Sequence, residues 1–147
     1  MALIRMASPG DLRAIVALIA QHPPDSMPGF PAVDPNTCAD RVSQWLRWTI
    51  LAEQDGDLLG ILILDRTSWW WSKDEFIGDR VLFIRPDARN SDICRQFFTI
   101  AKKLAASQGL PLIMATINGV EVERKDKLYQ RMGFKRMGGT YAWGLKP

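Results

Sequence analysis

Tyr129 is the side chain whose type and position best suit acid chemistry. It lies in residues 127–134, which read KLYQRMGF. Leu128 and Met132 share one face of a predicted helix, and Gly133 can adopt the left-handed conformation that ends a helix. A buried strand is predicted to follow at once. A phenol, with an ordinary pKa of about 10, is a plausible proton donor. The same residue could also be a core tyrosine with a satisfied hydroxyl.

A second stretch has the composition of an anion-binding helix start. Residues 89–94 read Arg-Asn-Ser-Asp-Ile-Cys and open a long predicted helix. Backbone N–H groups at a helix N-terminus, with the positive end of the macrodipole, suit a diphosphate. Ser91 and Asp92 are also ordinary N-cap residues, so this stretch could simply start a helix. Asp92 would place a negative charge where a diphosphate would lie, unless its side chain turns outward to solvent.

Four carboxylates could act as a general base, and the sequence does not choose among them. Asp65, Glu75, Asp79 and Glu121 could each take a proton directly or through water, and each could equally be a solvated surface group. The single histidine, His22, precedes two prolines at a predicted helix end, and we interpret it as structural. No general base is therefore assigned.

Composition limits the class of protein. With 147 residues and 47% hydrophobic content, we expect one domain spanning residues 1–147. The net charge of +3 favours an anionic ligand but is far below that of a dedicated nucleic-acid binder. Cys38 and Cys94 have no spacing for zinc, redox or disulfide chemistry. No targeting segment or membrane-length apolar run is present, so we expect a cytoplasmic protein with no membrane partner.

Hydrophobic periodicity predicts an α/β chain, in which helices cover a mixed sheet (an α+β mixed sheet). A proline-rich connection from His22 to Pro35 is a candidate substrate-facing loop. An Asp55-Gly56 turn predicts a hairpin. The predicted elements, in order, are a strand at 3–6, a helix from about 9 to 22, a helix starting near 36 or 37, strands at 49–53, 58–64 and 76–84, a helix at 90–108, a strand at 110–116, a helix at 122–132, and strands at 134–137 and 140–143.

Three consecutive tryptophans, Trp69, Trp70 and Trp71, follow the second hairpin strand. In an extended chain they alternate faces, so at least one indole is exposed unless something covers it. Core packing is one use for them. Exposed indoles could instead stack on an aromatic or nucleobase acceptor, or form a homodimer interface.

The element order and the LYxxxGF pattern resemble the GCN5-related N-acetyltransferase (GNAT) superfamily. The likeness of topology covers nearly the whole chain, and motif-level similarity covers residues 83–98 and 124–134. In this family a loop of pattern Q/R-x-x-G-x-G/A binds the coenzyme A pyrophosphate. Here Arg89 takes the arginine position, Ile93 the aliphatic position, and Cys94 the place of a small residue.

The resemblance implies acetyl-CoA as cofactor and a primary amine, of a small molecule or a protein, as acceptor. Tyr129 would protonate the departing thiolate, while backbone N–H groups around Phe83 to Arg85 would meet the pantetheine and the thioester oxygen. Arg89, Arg95 and Lys102 or Lys103 would offset Asp92. The residues implied to contact the cofactor are Phe83, Ile84, Arg85, Arg89, Asn90, Ser91, Asp92, Ile93, Cys94, Arg95 and Asn118.

Within the family, the chain is similar to compact members encoded by bacteriophages, through residues 119–129 and Gly138-Gly139-Thr140-Tyr141. Two other functions remain open. A catalytically inactive member could bind a host protein or nucleic acid through its basic and Trp-rich surfaces, and Asp92 is the main argument for this alternative. An active member could transfer a different acyl group, as the size of its pocket would decide.

Overall fold

The computed structural model describes residues 2–22, 29–89, 91–115 and 121–145. Its mixed α+β architecture confirms the predicted fold class. Short 3-10 turns at Pro9–Asp11, Leu46–Trp48 and Pro86–Ala88 join some of the elements. The helices and strands are β1 (Leu3–Met6), α1 (Leu12–Ile19), α2 (Pro35–Trp45), β2 (Thr49–Gln54), β3 (Asp57–Ser68), β4 (Glu75–Ile84), α3 (Ile93–Gln108), β5 (Leu112–Ile113) and α4 (Val122–Arg131).

The strands form one sheet in the order β1-β2-β3-β4-β5. The first three pairings are antiparallel, and β4 pairs with β5 in parallel. The predicted turn at Asp55-Gly56 joins β2 to β3, and both residues have positive φ, 53° and 83°. An aspartate and a glycine tolerate that left-handed backbone, which matches the right-handed twist of the strands.

Two helical layers cover the two faces of the sheet. Alternate side chains of β2 and β3 point to opposite faces, so each strand contributes to both layers. Helices α1 and α2 cover one face with Ile15, Leu18, Ile19 and Val42, packed on Leu51, Ile61, Ile63 and Phe83. Helix α3 covers the other face with Ile93, Phe97, Phe98, Ala101 and Ala105, packed on Ile50, Ala52, Leu62, Leu64 and Ile77; partly buried side chains of α4 join this cluster.

A β-bulge interrupts the pairing of β3 with β4. Ile63 lies opposite Val81 and Leu64 lies opposite Asp79, so Arg80 is the extra residue. A bulge of this kind changes which residues of the strand point their N–H groups to each side. As a result, the alternation of N–H groups that face the β5 side is shifted by one residue between the two ends of β4.

The prediction of two final strands was wrong. Residues 134–145 form no strand in the structure, and Tyr141 and Trp143 are 96% and 98% exposed. A strand needs a neighbouring ladder, and β5 is only two residues long and already pairs with β4. Two consecutive glycines, Gly138 and Gly139, add conformational freedom that opposes an extended hairpin. Helix α1 also ends earlier than predicted, at Ile19 rather than near His22.

Neither a membrane-spanning helix nor a metal-binding cluster is found among the described residues. No helix among them has both the length and the apolar character needed to cross a membrane. They also contain no group of three His, Cys, Asp or Glu side chains that could hold a metal ion. Cys38 and Cys94 are half-buried thiols.

Candidate active site

A cleft opens between β4 and β5. The two strands pair at only two positions, Ile77 with Leu112 and Gly78 with Ile113. Just beyond them, the Asp79 carboxylate accepts a hydrogen bond of 3.1 Å from the Ala115 N–H. In the described parts of the chain, β4 then continues to Ile84 with no strand on that side. We call this opening, beside β4 from Asp79 to Ile84, the β4–β5 cleft.

Backbone groups of β4 point into the cleft. The Arg85 N–H donates to the Leu59 carbonyl at 2.8 Å, which places the polar groups of Arg85 on the β3 side. Because these groups alternate along a strand, the N–H groups of Leu82 and Ile84 face the cleft. An extended ligand could pair with this edge as an added strand would. Of the predicted stretch 83–85, Ile84 thus presents its backbone to the cleft, and Phe83 packs in the α1 and α2 layer.

Leu82 was missed by the sequence prediction. Its position on the open edge depends on the bulge at Arg80, which changes the alternation along β4. No local pattern marks the bulge, because it is defined by how β3 pairs with β4. The paired strand must be known before the bulge can be seen.

Tyr129 lies on α4 with its ring against α3. Its ring stacks on that of Phe98, with centroids 4.8 Å apart, and meets the ring of Phe134 edge-on at 5.5 Å. The hydroxyl is buried and has no hydrogen-bond partner among the described residues. Burial, followed by the negative charges of Asp79 and Cys94, raises the pKa of the phenol above its usual range. A buried hydroxyl without a partner costs about 1–3 kcal/mol, so a ligand atom that pairs with it would be favoured.

Burial raises the pKa of Asp79, which lies beside the cleft. The pKa of its carboxyl rises from 3.8 to about 6, although hydrogen bonds from the Ala115 N–H and from its own N–H oppose the shift. The Asp79 charge also raises the pKa of Tyr129. Asp79 therefore lies where β4 and β5 separate, and its charge acts on Tyr129, the residue that the sequence analysis singled out.

The other three candidate bases take part in surface ion pairs. In each pair an arginine side chain contacts the carboxylate and competes with a substrate for it. The pairs are Glu75 with Arg66 at 2.9 Å, Asp65 with Arg80 at 2.6 Å, and Glu121 with Arg124 at 3.5 Å. These ion pairs are tertiary contacts, so the sequence alone could not distinguish these three carboxylates from Asp79.

Asp92 immediately precedes α3 in the chain. It is exposed at the N-cap of α3 and makes no side-chain capping hydrogen bond, while Ser91 Oγ accepts from the Ile93 N–H at 3.4 Å. Asp92 lines a groove of about 630 Å³ together with Asp55, Asp57 and Asp87. This groove lies beside the β2–β3 turn, across β4 from the cleft. The Arg85 side chain also lines it and pairs with Asp87 at 2.9 Å.

Arg89 holds its guanidinium next to the open edge of β4. Its Nε donates to the Ile84 carbonyl at 2.8 Å, and its Cζ lies 5.7 Å from the centroid of the Phe83 ring. Arg89 thus brings a positive charge to the C-terminal end of the cleft. The first-turn N–H groups of α3, which have no intrahelical acceptor, lie a few residues further along the chain.

The remaining predicted site residues fall into three groups. Ile93 is buried in the core, and Cys94 is half-buried in the first turn of α3, where burial raises its pKa to about 11. Arg95 is exposed. Asn90 and Asn118 lie outside the described residues. Lys102, expected to offset Asp92, instead lies over the Phe134 ring at 5.1 Å, two turns further along α3.

These features fit a ligand that joins a thioester to a diphosphate. The open edge of β4 suits an amide-containing arm, and the orphaned Tyr129 hydroxyl suits an atom that gains negative charge. Arg89 and the N-terminus of α3 suit a diphosphate. The architecture, with its separated fourth and fifth strands, is the acyl-CoA N-acyltransferase fold of the GNAT superfamily.

Solved structures with the same fold include enzymes that modify antibiotics. The aminoglycoside 6′-N-acetyltransferase AAC(6′)-Iy, in complex with the bisubstrate analogue CoA-S-monomethyl-acetylneamine, has a TM-score of 0.73 and 15% identity over 100% of this chain and 99% of that chain. AAC(6′)-Ih from Acinetobacter baumannii has a TM-score of 0.71 and 13% identity over 100% and 99%. An integron cassette protein from the mobile metagenome of Cole Harbour Salt Marsh has a TM-score of 0.75 and 19% identity over 98% and 91%.

Sequence comparison adds no closer assignment. No protein-family model matches the chain, and no curated protein sequence is significantly similar to it. At the identities above, the structural likeness establishes the fold alone.

Proposed function

We propose that this chain is an acetyl-CoA-dependent N-acetyltransferase that acetylates a primary amine of a small molecule or a protein. The observation that carries the proposal is the buried Tyr129 hydroxyl. It has no hydrogen-bond partner among the described residues, and the negative charge of Asp79 raises its pKa. The likeness to acetyltransferases in fold supports the same reaction class. Fold by itself does not establish that reaction, because one fold hosts many functions.

Acetyl-CoA would supply an activated acetyl thioester. The Leu82 and Ile84 N–H groups would hold its amide-containing arm along the open edge of β4. Arg89 and the first-turn N–H groups of α3 would hold the diphosphate. Asp92 is solvent-exposed, so water and salt would weaken its repulsion of the diphosphate.

Asp79 and Tyr129 would divide the proton transfers. With a pKa of about 6, Asp79 is mostly ionised at pH 7 and can accept the proton that the amine loses. Tyr129 stays protonated, since its pKa is raised, and can donate a hydrogen bond to the departing sulfur. A proton that passes from Tyr129 to the sulfur is then replaced by the one held on Asp79. The net result moves one proton from the amine nitrogen to the thiol.

A second candidate function is capture of a protein partner through exposed tryptophans. Trp70 and Trp71 are 91% and 63% exposed, whereas Trp69 packs on Phe76 with ring centroids 4.2 Å apart. Exposed indoles of this kind concentrate at binding hot spots. An inactive fold that binds a partner here would not need the cofactor site.

Calorimetric titration with acetyl-CoA tests the proposed function. We expect micromolar binding by the native chain, and a screen of primary amines should then show release of free thiol. If the native chain does not bind acetyl-CoA but the Asp92→Gly variant does, the cofactor site has been lost in the native chain. That outcome would favour the partner-binding function. Under that outcome, Trp70→Ser together with Trp71→Ser should abolish partner capture.

A further inference from the structure

Arg80 is the extra residue of the β-bulge in β4, and its side chain contacts two neighbouring elements. Its Nη2 donates to the Asp65 carboxylate of β3 at 2.6 Å, and its Cζ lies 5.1 Å from the centroid of the Trp45 ring at the end of α2. The Asp65 side chain is only 19% exposed. A charge-assisted hydrogen bond and a cation–π contact therefore hold the β4 residue that has no cross-strand partner.

The bulge puts two consecutive side chains on the same face of the sheet. Arg80 contacts Trp45, and Val81 packs in the same α1 and α2 layer. Leu82 then packs on the α3 face. In a regular strand, alternation would put Val81 on the opposite face from Arg80. The extra residue therefore decides which face each later side chain of β4 occupies.

The extra residue also decides which N–H groups of β4 face the β4–β5 cleft. Before the bulge, the Ile77 N–H donates to the Pro111 carbonyl at 2.9 Å, on the β5 side. After the bulge, the Arg85 N–H donates to the Leu59 carbonyl at 2.8 Å, on the β3 side. Both donors are odd-numbered, so the alternation shifts by one residue between them. Without this shift, the Leu82 N–H would point to β3 and away from the cleft.

We propose that Arg80 is a positioning residue whose contacts with Asp65 and Trp45 hold the bulge in place. The bulge in turn aims the N–H groups of Leu82 and Ile84 at the β4–β5 cleft. A bulged residue is left out of the ladder, so its side-chain contacts fix where along the strand the bulge lies. That the cleft binds coenzyme A rests on the proposed function; the dependence of the bulge on Arg80 does not.

Amide hydrogen exchange and calorimetric titration with coenzyme A test this role. Arg80→Met removes the guanidinium and keeps most of the length of the side chain. Arg66→Met is the matched control, because Arg66 lies on the same hairpin and pairs with Glu75 at 2.9 Å, away from the bulge. The reporter is the Val81 amide, which faces β3 by the same alternation as Arg85.

We expect Arg80→Met to speed exchange at Val81 by about tenfold and to weaken coenzyme A binding by about tenfold. Arg66→Met should change each by less than about twofold. Arg80→Lys should restore most of both, because lysine keeps the positive charge. Asp65→Asn breaks the same ion pair from β3 and should resemble Arg80→Met, so it replaces that variant if Arg80→Met does not fold.

The two measurements separate failure of this role from failure of the proposed function. Equal exchange at Val81 in Arg80→Met and Arg66→Met would refute the role of Arg80. Faster exchange that extends equally to Leu51 of β2 would also refute it, because the whole sheet would then be loosened. Local exchange with unchanged coenzyme A affinity would show that the bulge does not position the cleft. Exchange that depends on Arg80, in a native chain that does not bind coenzyme A, would support the hold on the bulge and refute the proposed function.

Discussion

The Tyr129 ring lies against the Phe98 ring, with centroids 4.8 Å apart and planes inclined by 23°. Phe98 belongs to α3 and is fully buried, so its ring holds the stacked Tyr129 ring against the core. The hydroxyl is held by ring packing, with no hydrogen bond to another described residue. A group positioned in this way can pair with a ligand atom without first breaking a protein contact.

Tyr129→Phe should lower turnover by about ten- to a hundredfold and leave the KM for acetyl-CoA nearly unchanged, because it removes one hydroxyl and keeps the ring packing. Steady-state release of free thiol, measured against both substrates, checks this. Tyr141→Phe is the matched control, since Tyr141 is 96% exposed. Equal rates in native protein and Tyr129→Phe would remove Tyr129 from the mechanism.

Phe98→Leu should lower turnover through loss of the surface that supports the Tyr129 ring. Phe97→Leu is its control, because Phe97 is equally buried but packs near Gly60 of β3. Both variants should lose on the order of 1–3 kcal/mol of unfolding free energy. Denaturant titration and kcat, measured for both, separate the two roles. Equal loss of kcat would show that ring support does not matter.

Asp79 should set the acid limb of the pH–rate profile. Because its pKa is about 6, kcat/KM should fall as the pH drops below 6, where the carboxylate becomes protonated and can no longer accept a proton. The amine acceptor titrates much higher, near pH 10, so the two limbs are separable. Asp79→Asn should abolish the limb near pH 6. Its persistence in that variant would exclude Asp79 as the base.

Asp79 should also make the fold less stable as the pH rises. Its folded pKa of about 6 lies above the ordinary 3.8, so between these values the folded chain binds more protons than the unfolded chain. The unfolding free energy therefore falls as the pH rises from about 4 to 6 and stays lowered above 6, by on the order of 3 kcal/mol. Thermal unfolding should show Asp79→Asn to be more stable than the native protein at pH 7.5. The two should be similar at pH 4, and a native Tm that rises through this range would contradict the assignment.

Asp92→Asn should tighten coenzyme A binding by about three- to tenfold at low salt, since it removes a negative charge near the start of α3 and keeps a good N-cap residue. The gain should shrink as salt rises, because Asp92 is exposed. Asp55→Asn, in the same groove but on the β2–β3 turn, is the control. A similar gain in both variants would indicate a general effect of net charge.

Local patterns predicted much of the fold. The Asp55-Gly56 turn, the helix that carries Tyr129 and its end near Gly133 depend on backbone preferences within a few residues, and Gly133 does have a positive φ of 87°. The strand prediction at residues 134–143 was wrong, because a strand depends on a partner that no local pattern supplies.

The sequence by itself determined the order of elements as far as α4, the tyrosine and the position of the helix start at residues 89–94, since each depends mainly on neighbours along the chain. The tertiary structure alone decided that burial raises the pKa of Asp79, which N–H groups of β4 face the cleft, and that Asp92 lines the groove beside the β2–β3 turn. Burial, strand register and the distance between charges are set by residues far apart in sequence, and only the packed chain brings these together.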